Sequence, residues 1–217
     1  MKKQIMLILA LLTLSFSAYA SNAEVELDHE KIPTDSASIL RGAEHVVNNC
    51  VSCHGLKYIK YTDMLALGVE QKTVDGWRGE KPINTRITAG MPAEAAAAAF
   101  GGVIPPDLSL MASARDGGVH YMYSYLMGYT VNAKGEMVNK YYPATRMPDI
   151  LASASTTDPK LRAEISTKAK EITAFLNWAA DPHAEERKQL GKYVIAYLLL
   201  LTVLLYFWKV QIWSKLK

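Results

Sequence analysis

Cys50-Val51-Ser52-Cys53-His54 is the part of this chain whose residue types and spacing most directly imply chemistry, and it holds the only two cysteines. Cys-x-x-Cys-His is the attachment signature of a c-type haem. Each thiol adds across a porphyrin vinyl group, so two thioethers pin the ring at two points. Residues three and four apart on a helix share a face. Cys50, Cys53 and His54 can therefore address one ring, with His54 facing the iron from the proximal side. A redox-active dithiol, a structural disulfide and half a zinc site are the competing chemistries. Structural zinc wants four ligands, and no second cysteine pair exists. A thioredoxin-type dithiol wants alternating strands and helices, a pattern this chain lacks.

Haem iron with one histidine needs a further ligand for electron transfer, either another His or a Met. The other histidines are His29, His45, His120 and His183; His45 precedes His54 on the same predicted helix and cannot easily reach the distal face. Methionines are numerous, and most fill cores. Met91 and Met147 each precede a proline. A following proline holds the backbone extended, which suits a side chain presented from a loop. On residue chemistry both stand as candidates, Met147 ahead of Met91.

The elements that must position these groups are mostly helical. Ile39, Leu40, Ala43, Val46, Val47 and Cys50 recur at helical spacing, with Thr34, Asp35 or Ser36 as N-cap, so the haem would hang from the end of an amphipathic helix. Ala95 to Ala99 reads as a short helix started by Pro92 and stopped by Gly101-Gly102. Asp107 to Arg115 reads as another, capped by Asp107, and Val119 to Met127 as a third. Tyr129 to Tyr142 suggests a hairpin around Asn132-Ala133-Lys134-Gly135. Asp158-Pro159 opens a long helix whose apolar stripe is Leu161, Ile165, Ala169, Ile172, Phe175, Leu176 and Ala179, and Asp181-Pro182 ends it. The expected fold class is mostly α: a c-type cytochrome domain with long loops and a single C-terminal transmembrane helix.

Both ends of the chain address a membrane. Lys2 and Lys3, an apolar core from Ile5 to Leu14 and Ala18-Tyr19-Ala20 make residues 1–20 a signal peptide with an A-x-A cleavage site. Tyr193 to Trp208 contains no charge and is flanked by Lys192 and Lys209. Val210, Ile212 and Trp213 extend the apolar character, so the run from Gly191 to Trp213 is near the roughly 20 residues that cross a bilayer, and Tyr193, Tyr206, Trp208 and Trp213 suit the interfaces. Lys209, Lys215 and Lys217, with no nearby acid, favour a cytoplasmic C-terminus. The predicted organisation is a signal peptide (1–20), a periplasmic haem c domain (21–186), an anchor helix (187–213) and a cytoplasmic tail (214–217). The location implied is a bacterial inner membrane, single-pass.

Size and charge bound the rest. Roughly 165 residues remain for one domain, enough for a core around one haem. Lys2 and Lys3 account for two of the three formal positive charges, so the processed chain is near +1; charge is uninformative about nucleic acid, and no nucleic-acid partner is expected. Glu24, Glu26, Asp28 and Glu30 form an acidic stretch, either a solvated run or a face that steers a basic partner. No nucleophile and base constellation for hydrolysis or group transfer stands out.

Several blocks, in order, carry a family resemblance: Arg41-Gly42 leading to the haem motif and Leu56-Lys57-Tyr58; Pro105-Pro106-Asp107-Leu108-Ser109; Ala114-Arg115-Asp116-Gly117-Gly118 with Tyr121 and Gly128-Tyr129; and Phe175-Leu176-Asn177-Trp178-Ala179-Ala180-Asp181-Pro182 with Arg187, before the C-terminal span. The chain resembles cytochrome c1, the haem subunit of the ubiquinol–cytochrome c reductase (cytochrome bc1) complex. The resemblance implies one covalent haem c held by Cys50 and Cys53, with His54 and Met147 as iron ligands and Arg115 and Tyr121 at a propionate. It implies cytochrome b and the Rieske iron–sulfur protein as partners. Electrons would come from the Rieske protein and go to a soluble cytochrome c, no substrate bond being made or broken at this subunit. Two features depart from the family pattern: Arg146 beside Met147, and the segment from Gly79 to Ala93. The rival readings are a free-standing tethered cytochrome shuttle, a haem-based ligand sensor with an open distal position, and an electron-entry subunit of a periplasmic dehydrogenase.

Overall fold

The computed structural model describes residues 26–215. The expected signal peptide, Glu24 of the acidic stretch and Lys217 of the tail lie outside them. Among the described residues there are eight helices and four short strands. In chain order these are α1 (Ser36–Asn49), β1 (Leu56–Lys60), α2 (Tyr61–Leu67), α3 (Gln71–Arg78), β2 (Arg86–Ile87), α4 (Ala93–Ala99), α5 (Met111–Ala114), α6 (Gly118–Met127), β3 (Tyr129–Val131), β4 (Met137–Asn139), α7 (Pro159–Ala180) and α8 (Ala184–Ser214). The chain is mostly α with long connecting loops, as the periodicity predicts.

Helix α7 is the centre of the domain and packs against α1, α5 and α6. Its start follows from local chemistry: the Asp158 carboxylate accepts the Lys160 N–H at 3.0 Å, and Pro159 occupies the first turn, where a missing N–H costs nothing. Ile165, Ala169, Ile172, Phe175, Leu176 and Ala179 face inward and are buried. Leu161, assigned to the same stripe from sequence, is 46% exposed: it sits in the first turn, where α7 projects beyond the core.

Helix α1 crosses α7 at Gly42. A Cβ placed on Gly42 would lie 2.0 Å from the Glu171 carbonyl oxygen and 2.9 Å from the Phe175 Cβ, so only glycine permits this approach. The crossing is also held by polar groups. Glu171 is 6% exposed, and its carboxylate accepts Arg41 Nε at 2.5 Å and lies 3.3 Å from His45 Nε2. A buried carboxylate is costly unless paired, and two partners from α1 answer Glu171 of α7. At the other end of α1, Asp35 accepts the Ser38 N–H at 2.9 Å, as a capping residue should.

Two small antiparallel pairs complete the domain. The β3–β4 hairpin is the predicted one, pairing Tyr129 with Asn139 and Val131 with Met137. The β1–β2 pair, with an irregular register between Leu56–Ile87 and Lys60–Arg86, was not foreseen. A two-residue strand has no periodicity to read. The helix expected from Asp107 is shorter than its sequence pattern: α5 begins at Met111, and Asp107 serves another purpose described below.

At the C-terminus, α7 stops at Ala180, and Arg187 Nη1 donates to Asp181 Oδ1 at 2.6 Å across the turn. Helix α8 follows without interruption through Ser214. It is long and apolar enough to cross a membrane, and none of its described residues is buried against the domain. A soluble core helix of this composition would be covered by its own chain.

Gly42→Ala should destabilise the domain by about 3 kcal/mol, the upper end for overpacking a tight core, because the α1 and α7 backbones must part. A fall in thermal midpoint, with Ala43→Gly as a control that relieves no clash, measures it.

Candidate haem-binding site

The haem motif occupies the turns that follow α1. Cys50 is the C-cap, and the Cys53 and His54 N–H groups both donate to the Cys50 carbonyl, at 3.0 and 2.8 Å. The helical spacing thus persists one turn beyond the helix itself, which brings Cys50, Cys53 and His54 onto one side. All three line a cavity of about 340 Å³. Burial pushes the Cys50 thiol up to about 11, so at neutral pH it is an uncharged group packed against the core.

The Pro105-Pro106-Asp107-Leu108-Ser109 block explains how His54 is aimed. His54 Nδ1 lies 2.7 Å from the Pro106 carbonyl oxygen. A carbonyl only accepts, so Nδ1 carries the proton and Nε2 keeps its lone pair. Asp107 anchors that block to the segment after the motif. Its Oδ2 accepts the Lys57 N–H at 2.8 Å and its Oδ1 the Ser109 N–H at 3.0 Å. Ser109 Oγ accepts the Tyr58 N–H at 3.1 Å, and the Leu108 N–H donates to the Gly55 carbonyl at 2.8 Å. Asp107 is therefore a bridge between two chain segments rather than a helix cap. Gly55 leaves the room: a Cβ there would meet Asp107 Oδ2 at 2.9 Å. Burial lowers the His54 pKa, while the Pro106 hydrogen bond and the Asp107 charge oppose that shift, and the ring is neutral, the form that ligates a metal.

The cavity lining separates the two methionine candidates. Met147 lines the cavity, with Pro148 and Arg146 beside it. Met91 does not line it; its N–H donates to the Ser52 carbonyl at 2.9 Å. Arg115 and Tyr121 both line the cavity, with Arg115 Cζ 5.9 Å from the Tyr121 ring centroid. Arg146, the sequence departure, is a second cation on the same lining. Ile172 and Leu176 of α7 and Met122 and Leu126 of α6 form the apolar floor. His45, set aside as a ligand on sequence grounds, is engaged with Glu171.

The residues present fit a haem. The lining is largely apolar and aromatic, two thiols stand beside one bare imidazole nitrogen, and a soft thioether faces in from another segment. Histidine and methionine are the donor pair of electron-transfer c-type haems. Among the described residues no group of three or more His, Cys, Asp or Glu side chains could hold a bare metal ion.

Residues 30–216 match the family model described as Cytochrome C1 family. The chain belongs to the cytochrome c1 family. Similar relatives include cytochrome c1 of Rhodospirillum rubrum, 31% identical with 84% of this chain and 83% of that one covered. Cytochrome c1-1, heme protein, mitochondrial, of Solanum tuberosum is 33% identical over 95% of this chain and 76% of its own. A longer protein of Bradyrhizobium diazoefficiens named cytochrome b/c1 is 30% identical over 83% of this chain and 33% of its own length. Haem c is the cofactor that membership in the cytochrome c1 family implies.

Several cavity residues of this cytochrome c1 family member were not singled out by sequence reasoning. Tyr125 and Thr145 line the site, and the Tyr129 hydroxyl, outside the lining, donates to the Met147 carbonyl. The spacing of Tyr121, Tyr125 and Tyr129, four residues apart each time, was the available signal.

Two outcomes follow. Leu176→Ala should cost about 3 kcal/mol, since Leu176 is 1% exposed and its loss opens the cavity floor; chemical unfolding measures it. Acid should destabilise the folded chain in the absence of haem. The His54 pKa is lowered from 6.5, so stability is full above that value and falls as pH drops toward the lowered one, where the buried ring must charge. His54→Ala should flatten that part of the acid titration.

Proposed function

We propose that this chain is the electron-transfer haem subunit of a cytochrome bc1 complex, carrying one haem c bound through Cys50 and Cys53, with His54 as proximal and Met147 as distal ligand. The observation that carries the reading is the convergence of those four residues, and no other cysteine, on one apolar cavity in a cytochrome c1 family member. When bound, the haem supplies reversible one-electron chemistry, and a thioether ligand raises its potential by favouring ferrous iron.

The residues have separate tasks. Pro106 orients His54 and keeps its Nε2 free. The apolar floor from α6 and α7 excludes water. Arg115 and Tyr121 are the partners for a propionate, a guanidinium fork suiting a carboxylate and a phenol donating beside it. None of these groups forms a nucleophile and base pair; the protein supplies binding, orientation and electrostatics.

Electrons would arrive from the Rieske iron–sulfur protein and leave to a soluble cytochrome c. Cytochrome b is the membrane partner proposed for α8; the relative named cytochrome b/c1 carries both names on one chain. The proposed arrangement is a cleaved signal over 1–20, a periplasmic haem domain over 21–186, an anchor over 187–213 and a cytoplasmic tail over 214–217. That orientation follows the lysines after the span.

Purification in mild detergent through a C-terminal tag, followed by a reduced-minus-oxidised spectrum, tests the assembly. Co-purifying b-type haem with inhibitor-sensitive quinol–cytochrome c reductase activity is expected; a c-type spectrum alone, without quinol activity, would indicate a free-standing shuttle. For the ligand, Met147→Ala should lower the reduction potential and admit carbon monoxide to the ferrous haem, while Met91→Ala should do neither. Carbon monoxide binding by the unaltered protein would instead point to a ligand sensor.

A further inference from the structure

Met147 sits in a stretch with no regular secondary structure, between β4 and α7. Among the described residues, neither its N–H nor its carbonyl pairs with another backbone group. Side chains hold both. The Met147 N–H donates to Thr145 Oγ1 at 3.2 Å, and the Tyr129 hydroxyl donates to the Met147 carbonyl at 2.9 Å. Tyr125 stands behind both: its hydroxyl is 2.6 Å from Thr145 Oγ1 and 3.3 Å from the Tyr129 hydroxyl. Tyr129 has one proton, which the shorter contact assigns to the carbonyl. Its ring is 5% exposed and meets the Tyr125 ring edge-on at 5.9 Å, so the hydroxyl is fixed in place.

We propose that Thr145, Tyr125 and Tyr129 are positioning residues that brace the Met147 backbone and so aim its thioether at the iron. This rests on the reading of Met147 as the distal ligand. The physical need is specific. A thioether is a neutral and comparatively weak ligand, so its residence on the iron depends on how little its own segment moves. A helix would supply backbone hydrogen bonds to restrain it, but this loop has none at Met147. Pro148 removes a further donor and stiffens only the backbone next to it. The two tyrosines belong to α6 and to β3 immediately after it, so the brace ties the loop to the same unit that contributes the cavity floor. Thr145 and Tyr129 grip the two sides of one residue, which restrains its ψ and φ together.

The test uses the full chain with haem attached, in detergent. Thr145→Val removes the hydroxyl while keeping the shape; Tyr129→Phe removes the carbonyl's donor; Thr145→Ser restores the hydroxyl. The readouts are the rate of carbon monoxide binding to the ferrous haem and the pH at which the ferric protein loses its methionine-to-iron charge-transfer band. Thr145→Val and Tyr129→Phe should each bind carbon monoxide about tenfold faster than the parent, equivalent to about 1.4 kcal/mol of ligand detachment, and should lose the band at lower pH. Thr145→Ser should return both to parent values. Val74→Ala, a core truncation in α3, should lower the melting temperature and move neither readout.

Parent-like rates and band in folded Thr145→Val and Tyr129→Phe, with Met147→Ala defective in both, would overturn the brace and leave the ligand assignment standing. Parent-like behaviour of Met147→Ala would overturn the assignment and the brace with it. An equal acceleration in Val74→Ala would show general loosening and would also overturn the brace. Should Thr145→Val fail to fold, Tyr129→Phe and Thr145→Ser decide the same question.

Discussion

The close crossing of α1 and α7 at Gly42 is the constraint on which the rest of the domain depends. With no side chain at Gly42, the two backbones meet almost directly, and everything beyond the crossing is set by that contact. Following α1 toward its C-terminus leads to Cys50, Cys53 and His54. Following α7 leads to Ile172 and Leu176, which face the same cavity. The haem motif therefore has its floor supplied by a helix more than a hundred residues away in sequence. Arg41 and His45, on either side of Gly42, answer the buried Glu171 of α7. The same short stretch thus provides both the steric allowance and the charge compensation that register one helix on the other.

The second organising interaction is polar and local. The Pro105 to Ser109 block has few backbone donors of its own, because proline lacks an N–H. Its carbonyl at Pro106 is taken by His54, and its Asp107 and Ser109 side chains take the Lys57 and Tyr58 N–H groups. The segment after the motif is thereby zipped onto the segment before α5. The consequence is chemical: His54 is locked in one tautomer, with its other nitrogen open to the cavity. A free imidazole would choose between tautomers, and the carbonyl removes the choice. The Met147 part of the lining is built differently, by a loop whose backbone pairs with the Thr145 and Tyr129 hydroxyls. His54 thus follows the end of a helix, whereas Met147 lies in a stretch whose backbone groups pair with side-chain hydroxyls.

Much of this was legible in the residues. Cys-x-x-Cys-His, the Asp35 and Asp158 caps, the apolar period of α7 and the uncharged C-terminal run each announce a local rule that tertiary packing does not reverse. The misreadings are equally instructive. Asp107 looks like a helix cap because the cap and the bridge need the same group, an acceptor two residues before an N–H. Only the arrival of Lys57 decides between them. Leu161 falls on the apolar period of α7 and yet stands in solvent, since periodicity tells which face a residue occupies and not how far the core extends. The β1–β2 pair is too short and irregular to carry a period. Met91 and Met147 share the same local grammar, a methionine before a proline, and only the path of the chain puts one at the cavity and the other outside it.

By itself the sequence determined what was local and chemical: a Cys-x-x-Cys-His motif that places two thiols and an imidazole at short spacing, the helical class of the domain and a C-terminal segment suited to lipid. These depend on residue type at short spacing, where neighbours along the chain are also neighbours in space. Tertiary structure alone decided which methionine shares the cavity with His54, which carbonyl meets the imidazole, which carboxylate is buried under Arg41 and His45, and which hydroxyls pair with the Met147 backbone. Those are contacts between residues far apart in sequence. No local propensity encodes them; they follow from two helices permitted by one glycine to meet.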